Sequence, residues 1–186
     1  MFERIKGVLL LDWAAFKDVE HDPSANGQAL IIVIVSSLLA AVSASSGPFV
    51  GALAAGRDPW VLGTGNDSVI LAFLGTVLWS ILAWFVWTAT TYLIGTRVFS
   101  GRATYGEMLR VIGFAYAPIS FMVFGAIPCV GFFISLIVTV WALAAVFVGV
   151  REGLDLDRWP TVISVVAGWI LYAIGMALLG IVFNVI

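Results

Sequence analysis

Glu107 and Arg110 stand at the lip of the run "GRATYGEMLRVIGFAYAPISFMVFGAIPC", which spans Gly101 to Cys129 and turns almost wholly apolar. Residues three apart share a helix face. The pair therefore reads either as an interfacial ion pair that anchors a helix end, or as a lipid site. In the second reading Arg110 snorkels to the surface and holds a phosphate bidentately. Pro118 lies inside the same run, where it removes a helical hydrogen bond and kinks the helix. Gly113 precedes it and lets another helix approach. A bent helix lines a cavity or simply packs on its neighbours. Trp84 and Trp87, three apart with Trp79 a turn away, lie deep in another apolar run, too deep for the aromatic belt of a membrane interface. Each indole N–H needs an acceptor. Ser80, Thr88 or a nearby carbonyl would serve, as would a bound quinone or lipid headgroup. The densest charged stretch, "REGLDLDRW", places Arg151, Glu152, Asp155, Asp157 and Arg158 together. Its acids bind a cation or a basic partner, or they cap the following helix.

Several chemistries are excluded by what is missing. No Asp, Glu, Lys or His lies near the middle of an apolar run, whereas proton- and ion-coupled transporters need such groups. His21 is the one histidine and Cys129 the one cysteine. An internal disulfide is therefore impossible, and His- or Cys-ligated haem, pigment or zinc is not expected. There is no phosphate-binding glycine-rich loop and no nucleophile–base pair. No catalysis, cofactor or metal is expected, and a net charge of −2 gives no argument for nucleic acid.

The elements that carry these residues must be membrane helices. Of the 186 residues 62% are hydrophobic and only 11% charged, less than half the charged share of a soluble domain. The mean hydropathy is +1.10. Such a chain cannot cover itself with polar groups, so its solvent is largely lipid. A spanning helix needs about 20 apolar residues. Charge-free intervals then predict spans at about 28–46, 69–94, 106–126, 130–149 and 160–184. The first is expected to stop at Gly47-Pro48, and Pro128 with Gly131 breaks the long run into a hairpin. Pro160 is expected to open the fifth helix.

Five spans put the N-terminal segment, the 95–105 loop and the 150–159 loop on one side. Arg4, Lys6, Lys17, Arg97, Arg102, Arg151 and Arg158 gather there, against Arg57 alone on the other. The positive-inside rule makes that side cytoplasmic and puts the C-terminus outside. Residues 1–22 have too short an apolar core for a signal peptide. Phe2, Ile5, Val8, Leu9, Trp13 and Phe16 instead recur at helical spacing, which predicts an amphipathic helix on the membrane surface or packed on the bundle. Small residues also recur four apart: Ser36, Ala40 and Ala44, beside Ser37, Ala41 and Ser45, then Ala145 and Gly149, and Ala173 and Ala177. Such ridges allow close helix contact in lipid.

Three stretches resemble prokaryotic members of the Yip family, relatives of the eukaryotic Rab-interacting membrane proteins. "AFKDVEHDPSANGQALIIVIV" is similar to the entry of that family's first span. "GRATYGEMLRVIGFAYAP" resembles its third-span motif, and "WALAAVFVGVREGLDLDRWPTVISVV" the end of the fourth span and entry of the fifth. The resemblance implies an all-α, polytopic five-helix bundle at 23–186 preceded by the N-terminal helix, in a prokaryotic inner or plasma membrane. The acidic-aromatic "DLYGP"-type motif of eukaryotic members is missing, so Rab binding does not carry over. The expected function is a membrane scaffold or accessory subunit. It would bind lipids and other integral membrane proteins through its ridges, its cytoplasmic loops and residues such as Trp13 and Arg110. The alternative is a passive transporter or channel for a small neutral or lipidic solute, with a path near Pro118 and the deep tryptophans.

Overall fold

Helix α1 (Phe2–Leu9) and helix α2 (Trp13–His21) replace the single N-terminal helix expected over residues 1–22. The break has a local cause. Asp12 prefers a helix start to a helix interior, because its short carboxylate competes for backbone N–H groups. Here it caps α2 by accepting from the Ala14 N–H at 3.0 Å. Leu11 takes the left-handed conformation (φ 58°) that terminates helices. The Leu11 N–H then donates to the Val8 carbonyl at 3.0 Å and the Asp12 N–H to the Gly7 carbonyl at 2.9 Å. The two helices fold back on each other so closely that a Cβ on Gly7 would sit 2.5 Å from that of Ala15.

The computed structural model describes residues 1–54, 69–127 and 129–185, with side chains except at 47–54, 71, 72, 172, 173 and 175–185. All elements among the described residues are helical. After the N-terminal pair come α3 (Ala25–Ala54), α4 (Val69–Arg97), α5 (Tyr105–Ala115), a 3₁₀ segment (Ala117–Ala126), α6 (Gly131–Gly153) and α7 (Arg158–Val185). Four stretches are long and apolar enough to cross a membrane: Ala25–Ser46, Phe73–Arg97, Tyr105–Ala126 and Gly131–Gly153. Helix α7 adds a shorter apolar stretch, Arg158–Leu171, over its described part.

Two boundaries differ from expectation. Helix α3 does not stop at Gly47-Pro48 but continues to Ala54. In lipid the backbone keeps every bond it can, and one proline costs only its own N–H. Helix α7 starts at Arg158, so Pro160 is its third residue, still within the first turn where N–H groups lack helical partners.

The third span is not a kinked α-helix. Pro118 has no N–H to offer the Phe114 carbonyl, and the ladder tightens to i→i−3 bonds. Tyr116 donates to Gly113 at 3.2 Å, Ile119 to Tyr116 at 2.9 Å and Ile127 to Phe124 at 3.2 Å. A 3₁₀ helix rises about 2.0 Å per residue against about 1.5 Å in an α-helix. The combined span is therefore longer than its residue number would give as a uniform α-helix.

The ends of the bundle follow from the turns. The Arg102 N–H donates to the Leu154 carbonyl at 3.1 Å, which ties the α4–α5 loop to the α6–α7 turn. Asp155 (φ 51°) closes α6. The Leu156 N–H reaches the Arg151 carbonyl at 3.2 Å and the Asp155 N–H that of Glu152 at 3.3 Å. The N-terminal helices lie at this same end. Val8, Phe16 and Val19 are fully buried and share one core with Val33, Met108, Val111, Phe114, Val146 and Val150. Residues 1–22 are thus part of the bundle's own packing.

Candidate functional site

Glu107 and Arg110 do not pair. The sequence "TYGE" is a capping box, in which Thr and Glu three apart satisfy each other's backbone N–H groups. The Glu107 carboxylate accepts from the Thr104 N–H at 2.7 Å, and the Thr104 hydroxyl from the Glu107 N–H at 3.3 Å. Glu107 therefore starts α5. Arg110, one turn on, points inward and is only 6% exposed.

Arg110 joins three elements. Its Nη2 donates to the Glu20 backbone carbonyl at 2.5 Å and its Nη1 to Asn26 Oδ1 at 3.2 Å. Glu20 lies in the last turn of α2, where carbonyls lack helical partners and a cation suits the helix dipole. Asn26 lies in the first turn of α3. The interfacial arginine expected from the sequence is thus a buried latch between α2, α3 and α5. Arg110 Nε is buried with no partner among the described residues. The ion pairs found there are Arg4 with Asp18 and Asp22, and a long His21–Glu20 contact; none of them holds Arg110.

Beside the guanidinium is a pocket of about 250 Å³, lined by Asn26, Leu30, Trp84, Phe85, Leu109 and Arg110. Trp84 is 4% exposed, and its indole N–H donates to the Leu109 carbonyl at 3.2 Å. That carbonyl is the acceptor this deep indole requires. Gly113 makes the contact possible, because a Cβ there would meet Ala29 Cβ at 2.8 Å and the Trp84 ring at 3.2 Å. Leu30 and Phe85 are exposed at the rim.

The other candidates are dispersed. Pro118 is buried in the 3₁₀ segment and does not line the Arg110 pocket. The Trp87 indole N–H is buried without a partner among the described residues, as are the hydroxyls of Thr88, Thr91 and Ser164. Trp13 is 61% exposed, at the edge of a second pocket formed with Leu11, Phe147, Val148, Arg151 and Glu152. Most small-residue ridge positions with described side chains pack within the chain. Ser36 is buried with its hydroxyl 2.9 Å from that of Ser120. Ser37, Ala41 and Ser45 are buried, Ala40 is half-buried and Ala44 exposed. Ala145 is buried, and Gly149 receives the Phe16 ring. Ala173 and Ala177 lie outside the residues with described side chains.

Sequence reasoning passed over Glu20, Asn26 and Trp141. The Trp141 indole N–H donates to the Leu9 carbonyl at 3.0 Å, and its ring stacks on Phe121 at 5.3 Å. Asn26 lies just before the first span predicted at about 28–46, and its amide wants a partner where the chain enters that helix.

Electrostatics at this end are uneven. Asp22 accepts from Ser24 and lies against Arg4, which lowers its carboxyl to about 2. Burial pushes the Glu20 carboxyl above the usual range; the Asp155 and Glu107 charges push the same way, and His21 and Lys17 oppose. A raised carboxyl makes ionisation costlier in the folded state, so stability falls as pH rises from the ordinary carboxylate range through the raised value. Glu20→Gln is neutral throughout. It is expected to leave Tm unchanged near pH 4 and to raise it by a few degrees at about pH 8. An equal difference at both pH values would refute the ionisation cost.

No curated protein and no solved structure matches the chain. The Yip1 domain matches residues 6–181, nearly the whole length, and the chain belongs to the Yip1 domain family.

Proposed function

We propose that this membrane protein acts by binding, as a scaffold or accessory subunit for lipids and other integral membrane proteins, without catalysis of its own. The observation that carries the reading is Arg110. A cation is held inside the bundle by neutral acceptors alone, beside a pocket with an apolar rim. A charge kept in such a place is costly without a counter-charge, and a bound partner supplies one. Ser36, Ser37, Ala41, Ser45, Ala145 and Gly149 of the small-residue ridges are buried within the chain, so partners are expected to meet other surfaces. One is the outward face of α6, where Phe132, Phe133, Leu136, Ile137 and Val140 are exposed. Phe2, Leu10 and Trp13 are exposed on the N-terminal helices and fit a membrane surface.

In this reading α7 is the fifth span, the N-terminus is cytoplasmic and the C-terminus lies outside, in a prokaryotic inner or plasma membrane. Reporter fusions after Ile186 and at Arg102 are expected to report opposite sides. The same side for both would end the five-span arrangement. Isolation in native lipid particles tests the binding role, with specific lipids or membrane proteins expected to accompany the chain. A second reading, passive passage of a small neutral solute, draws on the unpartnered buried groups of Trp87, Thr88, Thr91 and Ser164. Solute flux in liposomes holding the pure protein would favour it.

A further inference from the structure

We propose that the Arg110 pocket binds the phosphate group of a membrane phospholipid, with the guanidinium as anion receptor and Leu30, Trp84, Phe85 and Leu109 as the wall for its glycerol and first acyl carbons. This deepens the binding role argued above and rests on it.

Arg110 carries five N–H bonds in a rigid fork, and Asn26 and the Glu20 carbonyl take one each. The buried Nε–H has no partner among the described residues. A full positive charge therefore sits at 6% exposure facing only dipoles. Breaking or omitting one partner of a buried charge is strongly unfavourable. The fork matches two phosphate oxygens, which a chloride ion or a single carbonyl does not.

Position selects a lipid over a free anion. Arg110 is five residues past Tyr105, where the third apolar stretch begins, about 7.5 Å along the helix at about 1.5 Å per residue, which suits contact with a headgroup phosphate. The pocket's rim is apolar: Leu30 is 40% exposed and Phe85 42%. Inorganic phosphate entering there would lose its water against hydrocarbon. A phospholipid already lies in that plane and buries apolar surface as its phosphate meets the guanidinium. Trp84 is fixed by its bond to Leu109 and gives the wall a rigid face.

The test measures thermal unfolding of the full chain in neutral detergent against three probes: dioctanoylphosphatidylglycerol, dioctanoylglycerol and inorganic phosphate. The phospholipid is expected to raise Tm with concentration, and the other two are not. An equal response to inorganic phosphate would overturn the lipid assignment, and an equal response to dioctanoylglycerol would overturn the phosphate. Two variants locate the site. Arg110→Lys keeps the charge but loses the fork, and is expected to weaken the phospholipid effect roughly tenfold. Gly106→Leu guards against a folding defect in that variant. A Cβ at Gly106 meets only Arg110 Nη1, at 3.6 Å, so the larger side chain fills the pocket mouth and leaves the latch intact. It is expected to keep the lipid-free Tm and lose most of the shift. If phospholipid stabilises Gly106→Leu as well as the parent, the chain binds lipid elsewhere; the pocket assignment falls and the wider binding role stands. If phospholipid stabilises neither, the pocket assignment falls, and the wider role depends on the proteins that accompany the chain in native particles.

Discussion

Phe16→Ala is expected to detach the N-terminal helices from the bundle while the spans stay inserted. Phe16 is fully buried. Its ring fills the gap left by Gly149, where an added Cβ would lie 3.0 Å from two ring carbons. Removing a buried Phe side chain costs about 3–5 kcal/mol. Because α2 is short, that loss is comparable to what holds it in place, so local opening is the expected result, short of global unfolding. Limited proteolysis and amide exchange over residues 1–22 would read it. Cleavage within α1 or α2 should accelerate strongly, with α3 to α6 still protected. A variant as resistant as the parent would show that the Arg110–Glu20 and Trp141–Leu9 bonds dock these helices without the ring.

Gly131→Ala should be the most damaging single methyl in the described part of the chain. A Cβ at Gly131 would lie 2.0 Å from the Gly125 carbonyl oxygen and 2.8 Å from its carbon. Both belong to backbone, so no side-chain rotation relieves the clash, and the end of the 3₁₀ segment must separate from the start of α6. Overpacking usually costs about 1–3 kcal/mol and more where backbone must move. Lower yield and a clear fall in Tm in detergent are expected. Gly27→Ala and Gly75→Ala serve as comparisons. Both positions have open space within 4 Å and lie in helices, where alanine is favoured by about 0.5–1 kcal/mol. If Gly131→Ala behaves like them, the tight hairpin is wrong.

The positions of the apolar helices were legible because hydropathy and charge act along the chain, and four of them contain stretches long and apolar enough to cross a membrane. The intervals free of charge became α3, α4, the α5–3₁₀ span, α6 and α7, with shifts of a few residues at most starts. What could not be read was set by contacts across the bundle. Arg110 looked interfacial from its distance to the charged lip, but its acceptors are ninety residues away at Glu20 and eighty-four at Asn26. Glu107 was misassigned for a local reason that was readable: Thr104 three residues earlier completes a capping box. Leu11 gave no warning of a left-handed turn, since glycine or asparagine usually marks one. Pro118 announced a change of helix but not its form, because a kink and a switch to 3₁₀ both follow from one missing N–H.

Trp141 holds the Leu9 carbonyl across a separation of 132 residues. Ribosomes add about 5–20 residues per second, so roughly 7 to 26 s pass between the appearance of Leu9 and of its partner. Leu9 therefore waits for the partner that closes α1 onto α6. During that interval the part of the core that α6 supplies to Val8 and Phe16, Val146 and Val150 among it, is not yet made. The nearest apolar refuge is the bilayer into which α3 is inserting. Closure of α1 and α2 over the bundle is thus a late step of synthesis, completed when Trp141 and Gly149 arrive to meet Leu9 and Phe16.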